Sequence, residues 1–135
     1  MATKIQIKNL PTGYQSIISN GKHSIIGDEP IASKGTDLGL APPELLLAGI
    51  AACKVSTVRY IARQKGYDIR DVEAELEQTV TKGEKGKLST KIAVKMKIEG
   101  SLTVVQKEKL LKEVDSCYVH RMIEGDWTIE TAKEY

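Results

Sequence analysis

Three observations predict an α+β fold with antiparallel sheets for this 135-residue chain. A stretch from Glu44 to Ala62 is largely apolar over helical length and follows Pro42-Pro43. On both sides lie segments in which polar and apolar residues alternate with period two, the pattern of half-buried strands. Those segments are grouped around turn residues and do not alternate one-for-one with helices, which separates α+β from a wound parallel sheet. The predicted order is β-β-β-α-β-β-α-β in one domain spanning residues 1–135. The helices lie on one side, the first of them buried at the centre.

Residues 4–10, Lys-Ile-Gln-Ile-Lys-Asn-Leu, alternate as a first strand, which Pro11-Thr-Gly13 breaks. Residues 14–19 and 22–27 are β-rich and joined by Asn20-Gly21, a strong hairpin signal. Between Asp28 and Pro43 no period is visible, and three prolines and two glycines interrupt the chain. A loop this long in a compact domain is expected to be functional or to lie across a partner.

The central helix begins at Pro42-Pro43, where the first-turn N–H groups have no helical partner to lose. It should end near Lys65, with Gly66 at the C′ position. From Leu45 to Ala52 every residue is apolar or glycine, so this half should be buried all round. Cys53 sits within it. Gly49 and Ile50 share a face with Cys53 on one side, and Ser56 and Thr57 on the other. These small or hydroxylated neighbours leave room beside the sulfur.

Beyond this helix, Val72, Ala74 and Leu76 face one way while Glu73, Glu75 and Glu77 face the other. A turn at 82–87 leads to a strand with Leu88, Thr90, Ile92, Val94, Met96 and Ile98 on one face and Lys91, Lys95 and Lys97 opposite. Pairing the two sets glutamates against lysines on the solvent side. Thr103 and Gln106 are spaced as a capping box opening a second helix. Leu110, Leu111, Val114 and Cys117 then fall on one stripe, so the second thiol also points inward. That helix ends at Gly125, and Trp127 to Thr131 forms a last strand.

Composition narrows the functional classes. Twenty basic and 18 acidic residues leave a formal charge of +2, too balanced for nucleic acid, whose phosphates need a concentrated basic field. The N-terminus has no uninterrupted apolar core, and the run from Leu45 to Ala52 is short of a bilayer. No membrane partner and a cytoplasmic location are therefore expected. With five Tyr, one Trp and no Phe, the core must be aliphatic, and a dimer is expected to enlarge it. Two cysteines in a reducing compartment point to free or redox-active thiols.

Cys53 and Cys117 form no CxxC pair, and with His23 and His120 they show no metal-ligand spacing. No metal and no cofactor are expected. Phosphate-binding loops, nucleophile elbows and paired catalytic carboxylates are missing as well. Cys53 as a small core hydrophobe is one reading; a peroxidatic pair is the other. In the second, a thiolate attacks a peroxide O–O bond, becomes sulfenic acid and condenses with a second thiol. That needs a nearby cation. Cys53 lies roughly 13 Å into its helix, beyond the reach of the dipole. Arg59 faces away from it, and Arg121, shortly after Cys117, is the candidate cation and substrate contact.

The segments Gly35-Thr-Asp-Leu-Gly39, Ala41-Pro-Pro-Glu44-Leu-Leu-Leu-Ala-Gly-Ile-Ala-Ala-Cys53 and Cys117-Tyr-Val-His-Arg121 resemble the OsmC/Ohr family. The resemblance implies an intertwined α+β homodimer with active sites at the subunit interface. It implies a thiol peroxidase for organic hydroperoxides, alkyl or fatty-acyl, re-reduced by a dithiol such as lipoamide. On this sequence Cys53 matches the peroxidatic cysteine and Cys117 the resolving one. Catalytic members also carry an N-terminal arginine, held by a glutamate ten residues before the cysteine. This chain has no arginine before Arg59; Pro43 stands ten residues before Cys53, and Glu44 nine. Glu44 is thus a candidate orienting group or a favourable charge at a helix start. The alternative function is a non-catalytic dimer that binds a small hydrophobic ligand, its cysteines inert.

Overall fold

The computed structural model describes residues 2–135, and its elements form two compact units, one ending at Ala48 and the other spanning Gly49–Tyr135. The fold is α+β, as the alternation and the central apolar stretch predict.

In the first unit, β1 (Gln6–Asn9), β2 (Ser16–Ser19) and β3 (Ser24–Gly27) form an antiparallel sheet in sequence order. The hairpin differs from expectation. Ser19 pairs with Ser24, so the loop holds four residues instead of two. The reason is the Asn20 side chain, which accepts N–H bonds from Lys22 (2.9 Å) and His23 (2.8 Å). This local Asx turn competes with further strand pairing.

The loop after β3 is built around the buried carboxylate of Asp28. It accepts N–H bonds from Tyr14 (3.2 Å), Glu29 (2.8 Å), Thr36 (3.3 Å) and Leu38 (3.2 Å), and a hydroxyl bond from Thr36. These donors, the Thr36 hydroxyl foremost, hold the carboxyl far below the usual carboxylate range. The glycines of the Gly35–Gly39 segment are there for close approach. A Cβ at Gly35 would lie 1.9 Å from the Glu29 carbonyl oxygen, and one at Gly39 2.1 Å from that of Ile26. A long aperiodic loop thereby acquires one fixed shape.

Helix α1 runs Pro42–Lys65 and stops at Gly66, whose φ is +68°. Its burial corrects the all-round expectation: in the single chain only a stripe at i, i+4 spacing is buried, namely Ile50, Lys54, Val58 and Ala62. Leu46 and Tyr60 are well exposed. Among the described residues α1 is the one helix long and apolar enough to cross a membrane by length and composition. The eight-residue apolar run understated its extent because Lys54 interrupts it.

In the second unit, β4 (Ile69–Lys82) and β5 (Leu88–Gly100) pair antiparallel, with Glu73 opposite Lys97 and Glu75 opposite Lys95 as the charge pattern required. Glu77 falls opposite Ala93. The core joins Val58, Ile98, Leu110 and Val114, with Ile61, Tyr67 and Met96 packed around them. Helix α2 (Val104–Glu113) opens with the predicted capping box: Gln106 N–H to Thr103 Oγ1 at 3.1 Å, and Thr103 N–H to Gln106 Oε1 at 3.0 Å.

The second helix does not continue to Gly125. A single 3₁₀ turn, Val114–Ser116, ends it, and Cys117 is extended (φ −61°, ψ 145°) before α3 (Tyr118–Glu124). Leu111, within α2, is off the predicted stripe and exposed, while Leu110, Val114 and Cys117 are buried. The strand predicted at Trp127–Thr131 is absent; these residues carry no regular structure, and Trp127 and Ile129 are exposed. Period-two alternation yields a strand only where a neighbour accepts its ladder, and none pairs with it here.

Candidate functional site

The site grows from the break between α2 and α3. Because Cys117 stands at the N-cap of α3, its Sγ accepts the His120 N–H at 3.4 Å. The preceding amide, Val119 N–H, is donated to Cys53 Sγ, also at 3.4 Å. Consecutive amides of one opening turn thus each hold one thiol, and helix-start N–H groups lack internal partners. This sets two sulfurs distant in sequence side by side. Both cysteines are free, Cys117 fully buried and Cys53 half-buried.

Their surroundings are unequal. Burial pushes the Cys117 thiol up; the His120 N–H opposes this, the neighbouring Cys53 sulfur raises it further, and the Lys54 ammonium lowers it. The net effect is upward, so the Cys117 thiol keeps its proton at neutral pH. On Cys53, the carbonyl accepts the Thr57 hydroxyl at 2.8 Å, so the hydroxylated neighbour serves the backbone and leaves the sulfur uncrowded.

Lys54, 2% exposed, follows Cys53 by about 100° around α1 and so points elsewhere. Its Nζ donates to Asp115 Oδ1 at 3.3 Å and to His120 Nδ1 at 3.0 Å. With Lys54 as the donor, the ring proton of His120 lies on Nε2 and is donated to Glu124 Oε1 at 2.9 Å. The cluster closes one end of a cavity of about 430 Å³, lined by Ile50, Lys54, Thr90, Ile92, Val94, Asp115, His120, Ile123 and Glu124. Four of these residues are aliphatic and five polar or charged, a mixed lining of the kind that can hold a small molecule with both apolar and polar parts.

Of the residues singled out in the sequence, the structure brings Cys53 and Cys117 together. Arg121 donates its backbone N–H to the Cys117 carbonyl at 3.1 Å, while its side chain is exposed. Glu44 lies in the first turn of α1, its carboxylate accepting the Ala41 N–H at 2.9 Å, the role of a helix-start charge. Lys54 and Asp115 do not stand out in the sequence, and His120 does so only as a possible metal ligand. The available signal was Lys54 itself, the sole charge between Leu45 and Val58: an ion in an apolar helix must find partners. No cluster of three or more His, Cys, Asp or Glu able to hold a metal occurs among the described residues.

The chain thus combines an α+β fold with two free thiols held on adjacent amides. The sequence profile of the OsmC-like protein family matches residues 35–132, and the chain belongs to that family. Its structure is similar to an OsmC-like protein from Mycoplasma pneumoniae, at TM-score 0.79 and 19% identity over 93% of this chain and 89% of that one. It is also similar to an organic hydroperoxide resistance protein from Legionella pneumophila (TM-score 0.70, 21% identity, 93% and 90% covered). A third is the organic hydroperoxide resistance protein OhrB of Bacillus subtilis (TM-score 0.68, 18% identity, 93% of each chain). At these identities the likeness establishes the fold. Comparison with curated protein sequences returned no match.

Proposed function

We propose that this chain is a thiol peroxidase for organic hydroperoxides, with Cys53 as the attacking and Cys117 as the resolving cysteine. The observation that carries this reading is the pairing of the two sulfurs on the Val119 and His120 amides. The half-buried thiol is the one a peroxide reaches, and the fully buried one has its proton held by its surroundings. Cys53 thiolate bonds to the distal peroxide oxygen as the O–O bond breaks, and the departing alkoxide takes a proton to become the alcohol. The sulfur, oxidised by two electrons, is now a sulfenic acid. Cys117, once deprotonated, attacks that sulfur; the S–O bond breaks, hydroxide leaves as water with one proton, and a disulfide forms. A dithiol such as lipoamide returns the pair to thiols by exchange.

In this reading the protein works as a homodimer in the cytoplasm, where reduced thiols persist. Support for a second copy comes from α1, whose apolar window is only 22% buried in the single chain. Apolar patches of this kind mark association surfaces. The substrate class in this reading is an alkyl or fatty-acyl hydroperoxide, and nucleic-acid and membrane partners are not part of it.

The test is the count of free thiols after one equivalent of cumene hydroperoxide. Wild type should lose both; Cys117→Ser should stop at a trappable sulfenic acid, and Cys53→Ser should not react. If both thiols survive in wild type, the peroxidase reading fails. The second reading, an inert dimer binding a small hydrophobic ligand, is then favoured, since neither cysteine lines the 430 Å³ cavity.

A further inference from the structure

The Lys54 ammonium is an unused charge one residue from Cys53, and everything that holds it flanks Cys117. Asp115 stands two residues before that cysteine and His120 three after it, and His120 gives its own N–H to the Cys117 sulfur. Burying an ammonium is costly unless it is paired and hydrogen-bonded. Nothing in the packing of the second unit's aliphatic core requires a charge at this position. A methionine or leucine would fill the stripe of Ile50, Val58 and Ala62 without that cost. The lysine is nonetheless pinned by two acceptors, with 3% of its side chain exposed against 71% for that of Asp115. A positive charge held in so enclosed a place is screened less than one in open water, so its neighbours feel it more strongly.

We propose that Lys54 is a positioning residue of the thiol pair: held by Asp115 and His120, it supplies the fixed positive charge that lets buried Cys117 give up its proton and close the disulfide. The inference rests on reading the pair as peroxidatic and resolving thiols, and identifies what enables the second step. Cys117 must ionise to attack the sulfenic sulfur of Cys53, and burial opposes ionisation. A cation nearby offsets that opposition. The proton lost by Cys117 leaves with the hydroxide released from the Cys53 sulfenic acid as water, so Lys54 is not consumed. The charged and titratable groups around the pair are Lys54 from α1, Asp115 from the intervening turn, and His120 and Glu124 from α3. The β5 residues in the adjoining cavity wall, Thr90, Ile92 and Val94, carry no charge.

The experiment reads ionisation directly and needs no peroxide. In the Cys53→Ser background, where Cys117 is the only thiol, thiolate absorbance is followed against pH, with the doubly substituted chain as blank. Lys54→Met should move the transition to higher pH, Lys54→Arg should restore it, and Asp115→Asn, which removes an opposing negative charge, should move it lower. With both cysteines present, Lys54→Met should slow disulfide closure at neutral pH about tenfold while sulfenic acid still forms, the size expected from losing one nearby opposite charge. Transitions that coincide in all four chains would overturn the proposal. If Lys54→Met does not fold, Lys54→Gln, which keeps hydrogen-bond donors for Asp115 and His120 without the charge, decides in its place and should likewise move the transition to higher pH. A wild type that forms no disulfide, yet shows the ordered transitions, supports the charge assignment and sinks the peroxidase reading instead.

Discussion

Asp28 and Lys54 are the two buried charges among the described residues, at 3% and 2% exposure, and the chain accommodates them in opposite ways. Asp28, in the first unit, is satisfied almost wholly by backbone: three N–H groups and one hydroxyl converge on it from the loop it organises, and a fourth N–H comes from Tyr14 ahead of β2. Lys54, in the second, is satisfied by side chains alone, Asp115 and His120. A charge that gathers main-chain amides fixes a conformation, since those amides would otherwise need water or a strand. A charge that gathers ionisable side chains fixes an electrostatic field. The first is architecture. The second, beside two thiols, has a chemical consequence.

The contrast breaks if the two charges can be removed with the same result. Asp28→Ala should give the largest loss of thermal stability of any single change considered, because the Tyr14, Glu29, Thr36 and Leu38 amides lose their acceptor at once. Peroxide-driven disulfide formation in the surviving folded fraction should be unaffected. Lys54→Met should do the reverse, leaving the melting midpoint near wild type or raising it, since it removes a buried ion and the carboxylate it leaves behind, Asp115, is mostly exposed and stays solvated. Calorimetry and thiol counts on both variants separate the two cases. Equal destabilisation would show that Lys54 is as structural as Asp28.

A pH series sharpens the same comparison by a smaller effect. The native pKa of Asp28 lies below that of the unfolded chain, so the native state binds fewer protons there. Its stabilisation is fully present above the unfolded carboxyl value, about 4, and is lost as pH falls from there towards the native value. Asp28→Asn lacks this dependence. The gap in melting midpoint between wild type and Asp28→Asn should therefore hold steady from neutral pH to about 5 and narrow below about 4. A gap that persists undiminished into strong acid would mean the loop is held by shape and not by the anion.

The sequence showed what local periodicity can show. Alternation at 72–77 and 88–98 set both strands and the Glu73–Lys97 and Glu75–Lys95 register, because a one-residue slip would reverse every side chain. Pro42-Pro43 and Gly66 bounded α1 because their chemistry acts on the residue itself. What periodicity could not show was the interruption at Val114–Ser116. Leu110, Val114 and Cys117 keep helical spacing across a helix that has ended, since i to i+3 neighbours share a face in a 3₁₀ turn too. The interruption creates the N-cap and thereby the thiol pairing. Candidate cysteines were legible; the amides that hold them and the cation beside them were products of tertiary structure. Trp127–Thr131 failed for the complementary reason, since a strand pattern names a face but no neighbour.

The smallest effect expected provides the scale for the others. Thr103 and Gln106 exchange two hydrogen bonds at the start of α2, far in function from both charges. Thr103→Ala removes the Oγ1 acceptor and leaves the Gln106 amide to solvent, a loss of about 1 kcal/mol for an N-cap. Chemical denaturation should record that loss with no change in the thiolate titration of Cys117 or in disulfide closure. Since α2 runs directly into the turn carrying Asp115, this variant tests whether general loosening of the second unit can imitate the loss of Lys54. Should Thr103→Ala also shift the thiol titration, the field at the pair would depend on the rigidity of α2 as well as on a lysine, and Asp115 would be the residue through which the two communicate.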